Sequence, residues 1–438
     1  MLVIISDIHL TDGSSGQTIE AGAFRSFVEN LQVSVRDACW RKDGRFIPIE
    51  RCDLLLLGDV LDVIRSDHWL TPGETIRPWS PDPAELGPVV RAITSKILER
   101  NFRALAHLRN LGGKITARDD AGNAFEIPLF IHYFVGNHDW FYHLPGPDFD
   151  AARREVVQAL ALANDPNQPF PHQLAEATPE LFQLIRRHRL HPQHGDLYDE
   201  MNFEVRRGRD FSSLGDCIVI ELVNRFPVEV QKALSLEATD PDFTALREID
   251  NVRPLLAIPG WIQGVLRRSK LNRAQRAEVM NVWNHLADGF VEHPFVRSLD
   301  IWGLDKVDKL ELALKFSKGL PLQVLTAVSD HLNLFAWSES FAKSALKEDA
   351  LLRGEADFVA YGHTHHPETV SLDLREFGGE IREHVYFNTG TWRRVHQRCI
   401  REPGSFEFGS FHVMTFVLLY IDGERGGRRY ETWTGQLS

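Results

Sequence analysis

Short apolar runs that end in polar clusters recur along the chain: Leu2–Ile5, Leu54–Leu57, Leu129–Val135 and Asp357–Tyr361, each followed by Gly, Asp, Asn or His. Runs of this length, closed by turn formers, predict buried strands. Between the second and third, Val90, Ile93, Ile97, Leu98, Leu105 and Leu108 recur at helical spacing from Val89 to Leu111, and Gly112-Gly113 closes the run. The spacing predicts one helix packed on a sheet. Strand–helix–strand alternation of this kind predicts α/β layers with ligand-bearing residues at the carboxyl ends of the strands.

From Ser212 to Lys347 the period becomes helical almost without interruption, as in Ile218–Phe226, Gln275–Phe290 and Val307–Phe316. Strand-like runs resume at Val370–Leu374, His384–Phe387 and His412–Ile421, with Gly378-Gly379 and Gly423–Gly427 as turns. The expected organisation is a core in two parts, residues 1–205 and 351–438, interrupted by a helical insertion over 206–350. Thr71–Pro88, rich in Pro and carrying Trp79, predicts a structured surface loop.

The polar clusters carry the chemistry: Asp7 and His9; Gly58-Asp59 with Asp62; Gly136-Asn137-His138-Asp139; His194-Gly195-Asp196; and Gly362-His363-Thr364-His365. In extended chain, residues two apart project to the same side, so Asp7 with His9, and His363 with His365, can each grip one ion. The glycines allow backbone to approach where a side chain would obstruct. Imidazole, carboxylate and amide oxygen without thiolate suit manganese, iron, zinc or cobalt better than calcium or a structural zinc. Two such cations about 3.5–4 Å apart would clamp the attacking and leaving oxygens of a displacement at phosphorus and acidify a water between them. Any one cluster alone is weak, because Asp and Asn after a strand are common turn formers. The argument rests on five in order. His132, inside an apolar run, reads as a hydrogen-bonded structural group.

Composition narrows the class. With 438 residues, 43% of them apolar, the chain has material for two domains or for one domain with a large insertion. A formal charge of −12 opposes wrapping nucleic acid over a wide face. Cys39, Cys52, Cys217 and Cys399 form no CxxC pair or disulfide framework, which fits a reducing, cytoplasmic setting. No apolar run reaches the roughly 20 residues of a membrane-spanning helix, so any membrane contact would be peripheral.

In order, SDIHL, LLLLGDVLD, VGNHDW, HGDLYD and YGHTHHP resemble the signature of calcineurin-like metallophosphoesterases, over Met1 to about Asp199 and Asp357 to about Thr391. The resemblance implies a four-layered α/β/β/α sandwich and two divalent cations, manganese foremost. Asp7, His9 and His365 would hold one cation and Asn137, His194 and His363 the other, with Asp59 bridging and a hydroxide between the metals attacking phosphorus. It further implies that His138 faces the scissile phosphate and protonates the leaving oxygen, with Asp62 fixing its tautomer. Asp139 and Asp196 read equally as partners of neighbouring ligands or as turn residues.

Within that family, the HGD form, the GHTHHP ending, the NTGTW segment at Asn388–Trp392 and an insertion between HGD and GHTH are similar to bacterial UDP-2,3-diacylglucosamine pyrophosphatases. The insertion here is longer, and the Pro-rich loop is additional. The implied activity is hydrolysis of a phosphodiester or pyrophosphate, with a small-molecule or lipid-linked substrate chosen by the helical cap, and a homodimer is a family-level expectation. A nuclease of the double-strand-break repair type shares the ligand pattern, but its basic channel is not evident. A protein or small-molecule phosphomonoesterase is a further alternative, although the GDxVDRG and GNHE forms of the Ser/Thr phosphatases are absent. A non-catalytic scaffold would be expected to lose ligands, and none is missing.

Five arginines are candidate contacts for substrate phosphate: Arg206, Arg207 and Arg209 just after the HGD motif, and Arg393 and Arg394 after NTGTW; solvated turns are the competing account. In the insertion, Ile258–Ile262 with Val265 and Leu266 precede Arg267, Arg268, Lys270, Arg273 and Arg276. The segment reads as a helix packing its apolar residues on the core with solvated charges, or as a peripheral membrane or acyl-chain contact.

Overall fold

The structure is a computed structural model that describes residues 1–438 except 72, 74, 238, 254–256, 301–305, 318–336, 400–406 and 438. Its strands are β1 (Leu2–Ile5), β2 (Cys52–Leu57), β3 (Gly113–Arg118), β4 (Ala124–Phe134), β5 (Leu190–Pro192), β6 (Val252–Arg253), β7 (Phe358–Tyr361), β8 (Pro367–Phe377), β9 (Glu380–Thr389), β10 (Val395–Arg398), β11 (Phe408–Phe411), β12 (Val413–Leu419) and β13 (Tyr430–Gln436). A six-stranded sheet runs β13-β12-β1-β2-β4-β3, and a four-stranded sheet runs β5-β7-β9-β8. The fold is mixed α/β. β1, β2 and β4 are parallel neighbours, as are β5, β7 and β9. Strands buried on both faces need no polar alternation, which is why β1, β7 and the Leu54–Leu57 stretch of β2 read as unbroken apolar runs.

Leu2, Ile4, Leu55, Leu57 and Phe134 of the larger sheet share one buried cluster with Leu190, Phe358, Ala360, Val385 and Phe387 of the smaller. On the opposite face of the larger sheet, Val3, Ile5, Leu54 and Leu56 pack with Phe24, Phe27 and Leu31 of the helix Ala21–Ala38 and with Val90, Ile93 and Ile97. The smaller sheet gives Val359, Tyr361 and Tyr386 to a cluster with Phe341, Ala345 and Leu351.

The single helix expected over Val89–Leu111 is two, Pro83–Arg100 and Phe102–Arg109. Asn101 separates them because its buried amide donates to Thr11 O and Ile97 O, both at 2.8 Å, tying the break to the loop after His9. The first helix also takes over the end of the expected Thr71–Pro88 loop, with Pro88 inside it. Trp79 stacks on Phe295 of the insertion with ring centroids 5.0 Å apart.

The insertion is helical through most of its described length, and Leu214, Phe226, Trp261, Val279, Trp283 and Phe290 belong to a buried cluster of its own. Its expected helicity over 301–305 and 318–336 lies outside the described residues. Ile258–Arg268 is a helix whose apolar residues, Trp261 and Ile262 among them, are buried in that cluster, so this apolar side is spent on packing. Among the strands not expected, β6, two residues inside the helical block, pairs in parallel with β10 of the core. Asn224 Nδ2 donates to Ile64 O at 2.9 Å and Arg247 to Gly13 O at 2.6 Å, so the insertion is fastened beside the loops that follow β1 and β2.

Cys39, Cys52, Cys217 and Cys399 are free thiols. No helix among the described residues is long and apolar enough to cross a membrane.

His188, capping the helix Pro179–Arg187, is buried, with Nδ1 2.9 Å from Leu184 O and no partner for Nε2 among the described residues. Burial, helped by the chain's amino terminus, pushes its imidazole down to about 4. A depressed histidine stabilises the fold above its unfolded value and loses that contribution as pH falls toward the folded value. Between pH 7 and 4.5 the parent should therefore lose roughly 2–3 kcal/mol more stability than His188→Leu, read from urea unfolding at both pH values.

Candidate metal centre

The parallel strands bring their carboxyl ends to one edge, and the polar clusters gather there. Asp7 follows β1, Asp59 follows β2, Asn137 and His138 follow β4, His194 follows β5, and His363 and His365 follow β7. Asp7, His9 and His365 form one group whose ligand atoms lie within 4.8 Å of one another, and Asp59, His194 and His363 form a second. Asn137 Oδ1 joins the second group, 3.1 Å from His194 Nε2 and 2.9 Å from His363 Nδ1. Asp59 Oδ2 stands 3.2 Å from His194 Nε2 and 3.7 Å from His9 Nε2, between the two groups.

The backbone is strained at these residues. Asp7, His9, Asp59, His363 and His365 all have positive φ, between 49° and 68°. A non-glycine residue in that region costs of order 1–2 kcal/mol and persists only where its surroundings fix it. Asp7 N donates to Gly58 O at 3.1 Å and His9 N to Asp59 O at 2.8 Å, while Asn388 Nδ2 donates to Gly362 O at 2.6 Å and Thr391 Oγ1 to Asp7 O. The NTGTW segment is thus a buttress for two ligand loops. A Cβ on Gly136 would sit 2.3 Å from Asp59 Oδ1, and one on Gly362 would sit 2.3 Å from Asp7 Oδ2, so these glycines are set by the space the carboxylates occupy.

Electrostatics give the site its cation demand. His194 Nδ1 lies 3.0 Å from Leu57 O, a pure acceptor, so that nitrogen carries a proton and Nε2 confronts the oxygens of Asp59 and Asn137. Acceptors aimed at one point repel unless something positive lies between them. Burial alone would lower His194, yet Asp59 holds it up at about 10. Burial likewise opposes a charged His9, and its bonds to Asp62 and Asp7 hold it at about 10. In both places a proton stands where a cation would. Burial and the neighbouring Arg253 keep His365 well below its ordinary value, leaving a neutral imidazole. Against the burial that raises a carboxyl, the imidazoles of His194, His138 and His9 keep Asp59 ionised, well below the usual range. The donor set therefore fits two divalent cations.

Asp62 sits behind this centre. Its Oδ1 is 2.7 Å from His138 Nδ1 and its Oδ2 is 2.8 Å from His9 Nδ1, so one carboxylate orients two imidazoles. Opposing its burial, His138 and His9 pull it down to about 2. His138 also donates its backbone N–H to Asp59 Oδ1 at 2.8 Å. Asp139 accepts from Val60 N, Gly136 N and Tyr133 Oη, at 2.9, 2.6 and 2.6 Å, and so ties two ligand loops together without reaching a ligand atom. Asp196 pairs with Arg209 at 2.6 Å. His132 pairs with Asp53 at 2.9 Å, away from the centre.

The candidate arginines separate. Arg206 is exposed, and Arg207 is exposed with its guanidinium 5.5 Å over the Phe295 ring of the insertion. Arg393 is buried and paired with Asp250, which also takes Arg65 at 3.1 Å. Two residues not singled out in the sequence are at the centre. Asp199 Oδ2 is 3.0 Å from His363 Nε2, and its place in HGDLYD was the available signal. Arg253, carried in by β6, brings Nη2 to 3.5 Å from His365 Nε2.

Sequence comparison matches the chain to no family model and to no curated protein.

Proposed function

We propose that the chain is a dinuclear metal-dependent phosphoesterase of the calcineurin-like kind, built as an α/β/β/α sandwich, that hydrolyses a phosphodiester or pyrophosphate. The observation that carries this reading is the convergence of Asp7, His9 and His365 beside Asp59, His194, His363 and Asn137, with Asp59 between the groups. The order of buried clusters, helix on sheet, sheet on sheet and sheet on helix, supports the layering. When bound, the two cations supply Lewis acidity toward phosphoryl oxygens and an acidified water.

The residues around them do the rest. His138, its Nδ1 held by Asp62, keeps Nε2 for the leaving oxygen. Arg253 makes no ion pair among the described residues and donates from Nη1 to Asp250 O and Val252 O, leaving Nη2 at the rim of the centre as an anchor for a substrate phosphate. That role accounts for a strand of the insertion reaching the core, and it gives the insertion a direct hold on substrate choice. Arg253→Ala should raise KM by roughly 10–100-fold with a smaller effect on kcat, as loss of one charge-assisted hydrogen bond implies. Steady-state kinetics over a substrate series checks the split.

The function itself is tested by loading the protein with Mn, Co, Zn or Mg and assaying bis-p-nitrophenyl phosphate, p-nitrophenyl phosphate and a nucleotide pyrophosphate. Turnover of the diester or the pyrophosphate above the monoester is expected. Two cations bound without turnover of any of the three would remove the proposal.

A further inference from the structure

A second group of ligand-type side chains lies outside the centre: His143, His172 and Asp210. His143 ends the short turn Trp140–His143 that follows the GNHD motif, and Asp210 lies in the opening stretch of the insertion, before its first helix. The two imidazoles face each other with ring centroids 4.4 Å apart. Asp210 Oδ1 is 3.4 Å from His172 Nε2 and 3.8 Å from His143 Nε2.

The tautomer of His143 is fixed. Its Nδ1 is 2.8 Å from Phe170 O, and because a carbonyl only accepts, Nδ1 carries the proton and Nε2 presents a lone pair in the neutral ring. A backbone carbonyl behind one nitrogen is the usual support of a metal-binding histidine. His172 is 2% exposed, and neither of its ring nitrogens has a hydrogen-bond partner among the described residues; the contact to Asp210 is close but out of line. Leaving such a group unsatisfied costs about 1–3 kcal/mol. Burial keeps its imidazole low, at about 4, so it offers a neutral ring at neutral pH. Around a tetrahedral ion with bonds of 2.0–2.1 Å, ligand atoms lie about 3.3 Å apart, close to the 3.4 and 3.8 Å seen here.

We propose that His143, His172 and Asp210 form a site for a zinc-class divalent cation, separate from the dinuclear centre. Two imidazoles and one carboxylate fill three positions, and the half-exposed Asp210 leaves the fourth open to water. The ion clips the opening stretch of the insertion onto the turn after the GNHD motif. That stretch also carries Arg209, which bonds Asp196 Oδ1 at 2.6 Å and His172 O at 3.3 Å, so the clip steadies the approach to His194.

The test is metal counting on full-length protein stripped with chelator and reloaded with zinc or cobalt(II), comparing the parent with His143→Gln, Asp210→Asn and Asp59→Ala. His143→Gln and Asp210→Asn should each hold one equivalent fewer than the parent, and His143→Gln combined with Asp59→Ala should hold one fewer than Asp59→Ala alone. Zinc should also raise the parent's Tm more than that of Asp210→Asn, whose fold is safeguarded by a conservative change at an exposed carboxylate. Equal metal content in the parent and both single variants would overturn the site. Because the count is a difference, this result stands whether or not the dinuclear centre hydrolyses phosphate esters.

Discussion

Asp59→Ala should leave a folded chain that holds at most one cation at the dinuclear centre and has lost at least about 10³-fold in turnover of a phosphodiester. The side chain is buried, 3.2 Å from His194 Nε2 and 3.7 Å from His9 Nε2, and it accepts the backbone N–H of His138. Among the described residues it is the one carboxylate placed between both candidate ligand groups, so its removal should take a ligand from each. Without it, His194 loses the main charge that opposes its burial, and His9 and His138 lose one that acts beside Asp62. Metal analysis, turnover and circular dichroism on the same preparation separate loss of the centre from loss of the fold.

His138→Ala should behave differently, retaining both cations while losing about 10²–10⁴-fold in turnover, more for esters with poor leaving groups. Its Nδ1 is committed to Asp62 and its backbone to Asp59, which leaves Nε2 as a proton donor and no ligand atom essential to either group. Asp62→Asn supplies the contrast. Its carboxylate also orients His9 through Nδ1, so this change should weaken metal affinity by about 10–100-fold in addition to slowing turnover. A metal titration beside kinetics for the two variants reads that difference. If His138→Ala loses a cation, the imidazole is a ligand and its assignment as general acid fails.

What the sequence carried was whatever is local. β1 has the bounds read from its apolar run, and the ligand residues follow their strands at once, because parallel strands buried on both faces need both features side by side. What escaped was set by tertiary contact. The break at Asn101 depends on an amide reaching Thr11 O, and no local period records it. β6 is two residues long, too short to show any period, yet it delivers Arg253. Arg206 and Arg207 stand close to HGD in sequence but on exposed chain that turns toward the insertion, whereas Arg253 is distant in sequence and adjacent in space. Asp62 was read as the partner of His138, and its second bond, to His9, could be seen only once the loops after β1 and β2 were placed together. The cluster of His143, His172 and Asp210 has no motif, since its members come from three separate loops.

Asp7, His9, His365, Asp59, His194, His363 and Asn137 are expected to hold two cations. A crystal of the manganese-loaded protein, with anomalous scattering collected at the manganese edge, tests this expectation most directly. Two peaks are expected, about 3.5–4 Å apart, one among Asp7, His9 and His365 and the other among Asn137, His194 and His363, with Asp59 touching both. No peak at this edge of the sheets, with manganese in excess, would contradict it.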